Sequence, residues 1–259
     1  MATSHQTGSR TMSQHLPPLA AEDQALLAGA TMIGLVGGPG SGKGTQCSLL
    51  VQDPELESTT AHISIGDIMR READAGGEHS AAIRQWHAEG VLGDVNVTMA
   101  VLRRVLLEHV KEKGTSVFLL DGFPRATDRL AMFEQHIAHM ACLLVLRVPD
   151  EIMMDRLAKA SRGRADDMSL ESIKARIDTF HQRTQLVISH FSHIMGTVIF
   201  LDGDMEVEEV FHHMKHWVKN IIYDVAHSED SRYLASRDIA VHCRRRAAAL
   251  EMGQREERN

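Results

Sequence analysis

One nine-residue stretch, Gly37-Gly38-Pro39-Gly40-Ser41-Gly42-Lys43-Gly44-Thr45, restricts the folds open to this chain more than any other feature. It follows the phosphate-loop spacing G-x-x-x-x-G-K, with Gly44 between Lys43 and Thr45. A short apolar run, Met32-Ile33-Gly34-Leu35-Val36, precedes it, and Leu49-Leu50-Val51 behind it suits the start of a helix. A glycine loop between a strand and a helix lets backbone N–H groups turn inward and wrap an anion. The helix start adds its positive dipole end. Lys43 can then reach terminal phosphates, and Thr45 can set a hydroxyl on Mg²⁺. The spacing predicts a nucleoside triphosphate site built from Gly38, Gly40, Ser41, Gly42, Lys43, Gly44 and Thr45.

Four further apolar runs predict strands: His62–Ile65, Val117–Leu120, Cys142–Val148, which Pro149 closes, and Val198–Leu201. Most are continuous rather than alternating, as strands buried on both faces must be. Helices are expected between them at Met99–Lys111, Asp128–His139, Glu151–Ala160, Glu171–Phe191 and Val207–Lys219. Alternation of strand and helix predicts an α/β fold, a five-stranded parallel sheet covered by helices. Ligands of such sheets sit at the carboxyl ends of the strands. The glycine loop and Asp121 both fall at such ends.

The 259 residues, 43% hydrophobic, suffice for one or two cored domains. A net charge of −7 argues against broad nucleic-acid affinity. No apolar run approaches membrane-spanning length. Cys47, Cys142 and Cys243 lie far apart without a C-x-x-C pair, so neither a disulfide framework nor a zinc site is expected. They fit a reducing compartment, and a cytoplasmic location is the expectation. The opening residues up to Ala21 hold no acid and one arginine, Arg10, which leaves a mitochondrial leader as the alternative. Residues 1–30 read as a flexible lead, with Pro17-Pro18 ending any order. Residues 223–259 read as a helical or disordered extension carrying Arg244-Arg245-Arg246, either a solvated helix or a partner-binding element.

Three more segments carry chemistry. Phe118-Leu119-Leu120-Asp121-Gly122-Phe123-Pro124-Arg125 ends an apolar strand in a carboxylate, where Asp121 can order the water shell of Mg²⁺. Arg125 follows on a loop stiffened by Pro124, and a fixed guanidinium binds two phosphate oxygens at once. Arg162-Gly163-Arg164-Ala165-Asp166-Asp167, followed by Arg176, reads as a mobile basic loop; arginines closing over a migrating phosphoryl group stabilise its charge. In Ser64-Ile65-Gly66-Asp67-Ile68-Met69-Arg70, Gly66-Asp67 suits a loop or helix start, which places Arg70 about one turn into the helix to grip a second phosphate. Thr98 is a candidate cap for the helix behind Gly93-Asp94.

Together these segments resemble the adenylate kinase and UMP-CMP kinase family in its short-lid, zinc-free form. The matching residues are 37–46, 64–70, Asp121-Gly122-Phe123-Pro124-Arg125, Gly163-Arg164-Ala165-Asp166-Asp167 and Arg176, in family order across about residues 30–220. The resemblance implies a P-loop nucleoside triphosphate hydrolase-like kinase domain at 31–222, with a monophosphate-binding part at 64–93 and a lid at 157–169. It implies catalytic roles for Lys43, Arg125, Arg164 and Arg176, and a place beneath the donor nucleotide for Arg156. It gives the acceptor nucleotide to Ile65, Gly66, Arg70, Leu92, Gly122, Phe123, Arg125, Arg129, Arg164 and Arg176. Mg²⁺ would be held by Thr45 and, through water, Asp121.

Five positions depart from the family. Ile65 stands for Thr or Ala, Gly93-Asp94 for Val-Pro, and Ala160 for an arginine. Arg129 stands where a Gln reads adenine or an Asn serves the pyrimidine kinases. The reaction implied is transfer of the γ-phosphate of ATP to AMP, with UMP or CMP as the alternative acceptor. A catalytically weakened interaction module is the less favoured reading. A guanine-nucleotide switch would need an Asn-Lys-x-Asp base reader, which the sequence lacks. A monomer is expected.

Overall fold

The computed structural model describes residues 16–89, 91–159, 170–195 and 197–227. Five strands form one parallel sheet: β1 (Thr31–Gly37), β2 (Thr60–Ser64), β3 (Val117–Asp121), β4 (Met140–Arg147) and β5 (Thr197–Asp202). Their spatial order is β2-β3-β1-β4-β5. The central strand pairs with β3 from Thr31↔Val117 to Leu35↔Asp121 on one side and with β4 on the other. The chain therefore changes direction across the sheet at β1. This is the switch point, where strand ends splay and leave a crevice for a ligand.

Period-two alternation explains why the strands read as unbroken apolar runs. Along β4, Leu143 and Val145 join a core on one face with Val36, Phe118 and Leu120. Cys142, Leu144 and Leu146 join a second core on the other face with Ile33, Leu35 and Leu119. The first face is covered by α3 (Ile65–Asp74), α5 (Val95–Lys113) and α6 (Thr127–His136), through residues such as Ile68, Leu102 and Phe133. The second is covered by α2 (Lys43–Leu50) and α10 (Val207–His227), through Leu50, Met214 and Val218.

The remaining elements are α1 (Ala21–Ala28), α4 (Ser80–Glu89), α7 (Asp150–Lys159), α8 (Leu170–Thr179) and α9 (Gln185–His190). Two π-helical segments, Phe180–Thr184 and Phe191–Met195, flank α9. The helix expected over Glu171–Phe191 is continuous, its hydrogen bonding passing from α to π and back along its length.

Four expectations change. Residues 16–30 are not a loose lead: α1 docks on α5, Leu27 is fully buried, and Leu16 is nearly so. Ile65 does not end a strand. Ser64 ends β2 and caps α3, its hydroxyl accepting from the Asp67 N–H at 3.3 Å, so Ile65 is the first helical residue. The cap of α5 is Asp94, which accepts from the Asn96 N–H at 2.7 Å. Thr98 lies one turn inside, buried, its hydroxyl donating to the Asp94 carbonyl. Finally, α10 runs on to His227, so residues 223–227 belong to it rather than to an extension. Most of the lid expected at 157–169, with Ala160, Arg162, Arg164, Asp166 and Asp167, lies outside the described residues, as do 1–15 and 228–259.

Candidate active site

The glycine loop joins β1 to α2 at the carboxyl edge of the sheet. Gly40 has φ +79°, and a Cβ there would meet the Met153 carbonyl at 2.8 Å, so both conformation and packing demand glycine. The Lys43 ammonium folds back onto the loop. It donates to the Gly37 and Gly38 carbonyls, each at 2.8 Å, and to Ser41 Oγ at 3.0 Å. These three acceptors hold the cation at the mouth of the loop, where an entering phosphate can replace them. Burial lowers the Lys43 pKa to about 8; the Asp121 carboxylate opposes the shift, and the charges of Arg125 and Arg176 add to it.

Asp121 ends β3 beside the first turn of α2, where a Cβ on Gly44 would lie 3.6 Å from its Oδ2. That oxygen is 3.2 Å from His62 Nε2, on the neighbouring strand β2. His62 was not singled out from the sequence, because it sat inside an apolar run and only the β2–β3 pairing brings it to Asp121. Arg125 follows the Phe123-Pro124 bond, which is cis, and its Nε donates to the Gly122 carbonyl at 3.0 Å. Phe123 is buried against Phe133. Arg125 is open to the cleft on one side and crowded by protein on the other. That crowding lowers its pKa against the pull of Asp121, and the charges of Arg176, Arg70 and Arg129 lower it further.

Cations from separate elements therefore lie within one electrostatic field: Lys43 on α2, Arg125 on the loop after β3, Arg176 on α8 and Arg70 on α3. In this state Arg70 turns to Asp67 one helical turn back. Its guanidinium also covers Gly66, where a Cβ would come within 3.2 Å. Arg156 on α7 donates to the Gly203 carbonyl at 2.8 Å, beside the glycine loop, where a Cβ on Gly203 would lie 3.3 Å from the Ser41 carbonyl.

Arg129 sits apart from this group. It is buried on α6, and its guanidinium donates to the Leu92 and Gly93 carbonyls and to Thr98 Oγ1. A cavity of about 610 Å³ opens here, with Ala126, Thr127 and Asp128 also in its lining. Trp86 and Arg183 also line it, and neither was picked out from the sequence. Arg183 had no motif to mark it, because a π-helical segment sets its direction.

Among the described residues no cluster of three or more His, Cys, Asp or Glu makes a metal site of its own. The oxygens present suit a hard cation shared with phosphates: the Asp121 carboxylate stands over the start of α2, and Thr45 is exposed one residue along.

A glycine loop at the switch point of a five-stranded parallel sheet, faced by cations from several elements, defines a P-loop phosphotransferase of the nucleoside monophosphate kinase class. Comparison with known proteins makes this specific. Residues 35–195 match the family model described as adenylate kinase. The chain is 36% identical over 191 residues to a UMP-CMP kinase of Lentinula edodes, covering 70% of this chain and 82% of that one. It is 36% identical over 184 residues to a uridylate kinase of Saccharomyces cerevisiae, covering 70% and 87%. It is 34% identical over 192 residues to adenylate kinase 1 of Schistosoma mansoni, covering 73% and 93%. The chain belongs to the adenylate kinase family.

Proposed function

We propose that the chain transfers the γ-phosphate of ATP to a nucleoside monophosphate, with the donor on the glycine loop and the acceptor on the α3–α6 side. The convergence of Lys43, Arg125, Arg70 and Arg176 on one cleft carries this reading. An acceptor phosphate oxygen attacks the γ-phosphorus, the bond to the β-phosphate oxygen breaks, and ADP leaves with the electron pair. The acceptor is already an anion, so no general base is required. Positioning and cations do the work.

In this scheme Lys43 leaves its loop carbonyls for the donor phosphates. Arg125 spans the migrating group, Arg70 exchanges Asp67 for the acceptor phosphate, and Arg176 closes from α8. Arg164 shares the catalytic role on the lid, and Arg156 lies under the donor. Ile65, Gly66, Leu92, Gly122 and Phe123 shape the acceptor side. Mg²⁺, held by Thr45 and through water by Asp121, would neutralise charge on the donor phosphates. The kinase domain is taken to include the docked α1 and the whole of α10, with the acceptor part at 64–93. The protein works as a monomer in the cytoplasm, with ATP and the monophosphate as its partners.

The phosphate machinery is common to the two acceptor readings, AMP and UMP or CMP, and does not choose between them. A coupled assay for ADP tests the class: release must require both ATP and a monophosphate. ATP hydrolysis indifferent to any monophosphate would overturn it.

A further inference from the structure

The cavity at Arg129 has a feature that phosphate transfer does not use. Its volume of about 610 Å³ suits a nucleoside. The Trp86 indole lines one wall, an aromatic side chain of the kind on which bases stack. Gly93, at φ +69°, lets that ring pack close, since a Cβ there would lie 2.2 Å from it. The buried end is Arg129, only 5% exposed. Its Nη1 donates to Thr98 Oγ1 at 3.1 Å, and its Nη2 to the Leu92 and Gly93 carbonyls at 3.0 and 2.7 Å. These bonds fix the guanidinium and commit two backbone carbonyls of that wall to it. Arg183 faces the same cavity from the π segment Phe180–Thr184, with Leu186 beside it. Burial lowers the Arg129 pKa, Asp128 and Asp94 oppose this, and the charge of Arg183 adds to it. A guanidinium has donors and no acceptor. The carboxylates of the cavity, Asp128 and Glu89, are exposed at its rim, where water screens them.

We propose that Arg129 and Arg183 make this the base-reading pocket for a monophosphate whose base turns a carbonyl oxygen inward: uracil or a 6-oxopurine, in preference to cytosine or adenine. The inference rests on the kinase reading above. A keto oxygen accepts from a guanidinium. An exocyclic amino group meets it with hydrogens only and gives up its own hydrogen bonds on entering. The ring nitrogen of adenine or cytosine still accepts, so the result is a preference, not exclusion. Arg129 and Arg183 are then specificity residues, distinct from the cations that handle phosphate.

Two matched pairs isolate the effect, because IMP differs from AMP, and UMP from CMP, chiefly in oxo against amino. With the full chain and ATP, kcat/KM is expected to favour the oxo member of each pair by about tenfold. Titration of each monophosphate alone, followed by calorimetry, is expected to give the same order. The purine pair against the pyrimidine pair tells which oxo base is used. Arg129→Lys keeps a donor-only group and the preference; Arg129→Gln brings in an acceptor and brings the ratio to one or below. If thermal melting shows that these variants do not fold, the exposed Arg183→Ala carries the test, with the ratio falling toward one. Binding and turnover that favour AMP and CMP would overturn the proposal. Absence of transfer to any of the four would sink the kinase reading instead, while the binding order would still judge the pocket.

Discussion

The phosphate end and the base end of the cleft are built on different terms. At the phosphate end the backbone is the reagent. Gly40 is held in place by its φ and by a carbonyl 2.8 Å from where a Cβ would be, and Lys43 is docked on loop carbonyls. At the base end the side chains decide: Arg129, Arg183 and Trp86 stand on three different elements, and a single substitution rewrites what they read. Backbone geometry permits few sequences, so the first region carries a recognisable spacing. Side-chain geometry permits many, so the second does not.

The sharpest way to break this division is Lys43→Met. Turnover is expected to fall by about 10³-fold or more, with the melting temperature nearly unchanged and the IMP-to-AMP binding ratio intact. A changed ratio would mean that the two ends are one site. Next comes Arg125→Ala, the residue nearest the boundary. It is expected to cost about 10²-fold in kcat/KM with every acceptor alike, measured by the same coupled assay.

A pH series comes third. The Lys43 pKa of about 8 lies below its ordinary value, so the free protein loses that charge as pH rises through 8, and ATP affinity is expected to fall there. Bound phosphate favours the charged form. Calorimetry in buffers of different ionisation enthalpy is therefore expected to show proton uptake on ATP binding between pH 8 and about 10. The sign for stability is the reverse. Over that interval the unfolded chain binds more protons, so this lysine's penalty on the fold is relieved as pH rises.

The smallest effect is expected for Gly93→Ala. A Cβ at positive φ against Trp86 costs about 1–2 kcal/mol by the conformational term alone. It raises the acceptor KM while leaving the ATP KM alone.

The parts that the sequence made legible follow the same division. The strand before the glycine loop, the loop and the carboxylate ending β3 are local, each written in consecutive residues. The helix of 21–28 was hidden because Pro17-Pro18 reads as a break and because its stability comes from docking Leu27, not from its own periodicity. Thr98 is as good a cap by residue type as Asp94, and only the path of the chain before α5 decides for Asp94. Ile65 followed an apolar run and looked like more strand, until Ser64 turned out to serve both elements. Arg129 could be placed in sequence, but its bonds to carbonyls 36 and 37 residues away are tertiary facts. Arg183 needed the π segment, which leaves no mark on composition.

The docked first helix has a practical corollary for anyone trimming or tagging this chain. Leu27 fills the interior, Arg103 reaches the Pro17 carbonyl at 2.5 Å, and Lys111 pairs with Asp23. A protease nick or a fusion junction placed ahead of Leu16 leaves all of these in place. One placed at the boundary that the motifs alone suggest, near residue 30, would strip a wall from the hydrophobic interior and deliver a weakened product whose failure could be misread as a defect of the catalytic residues.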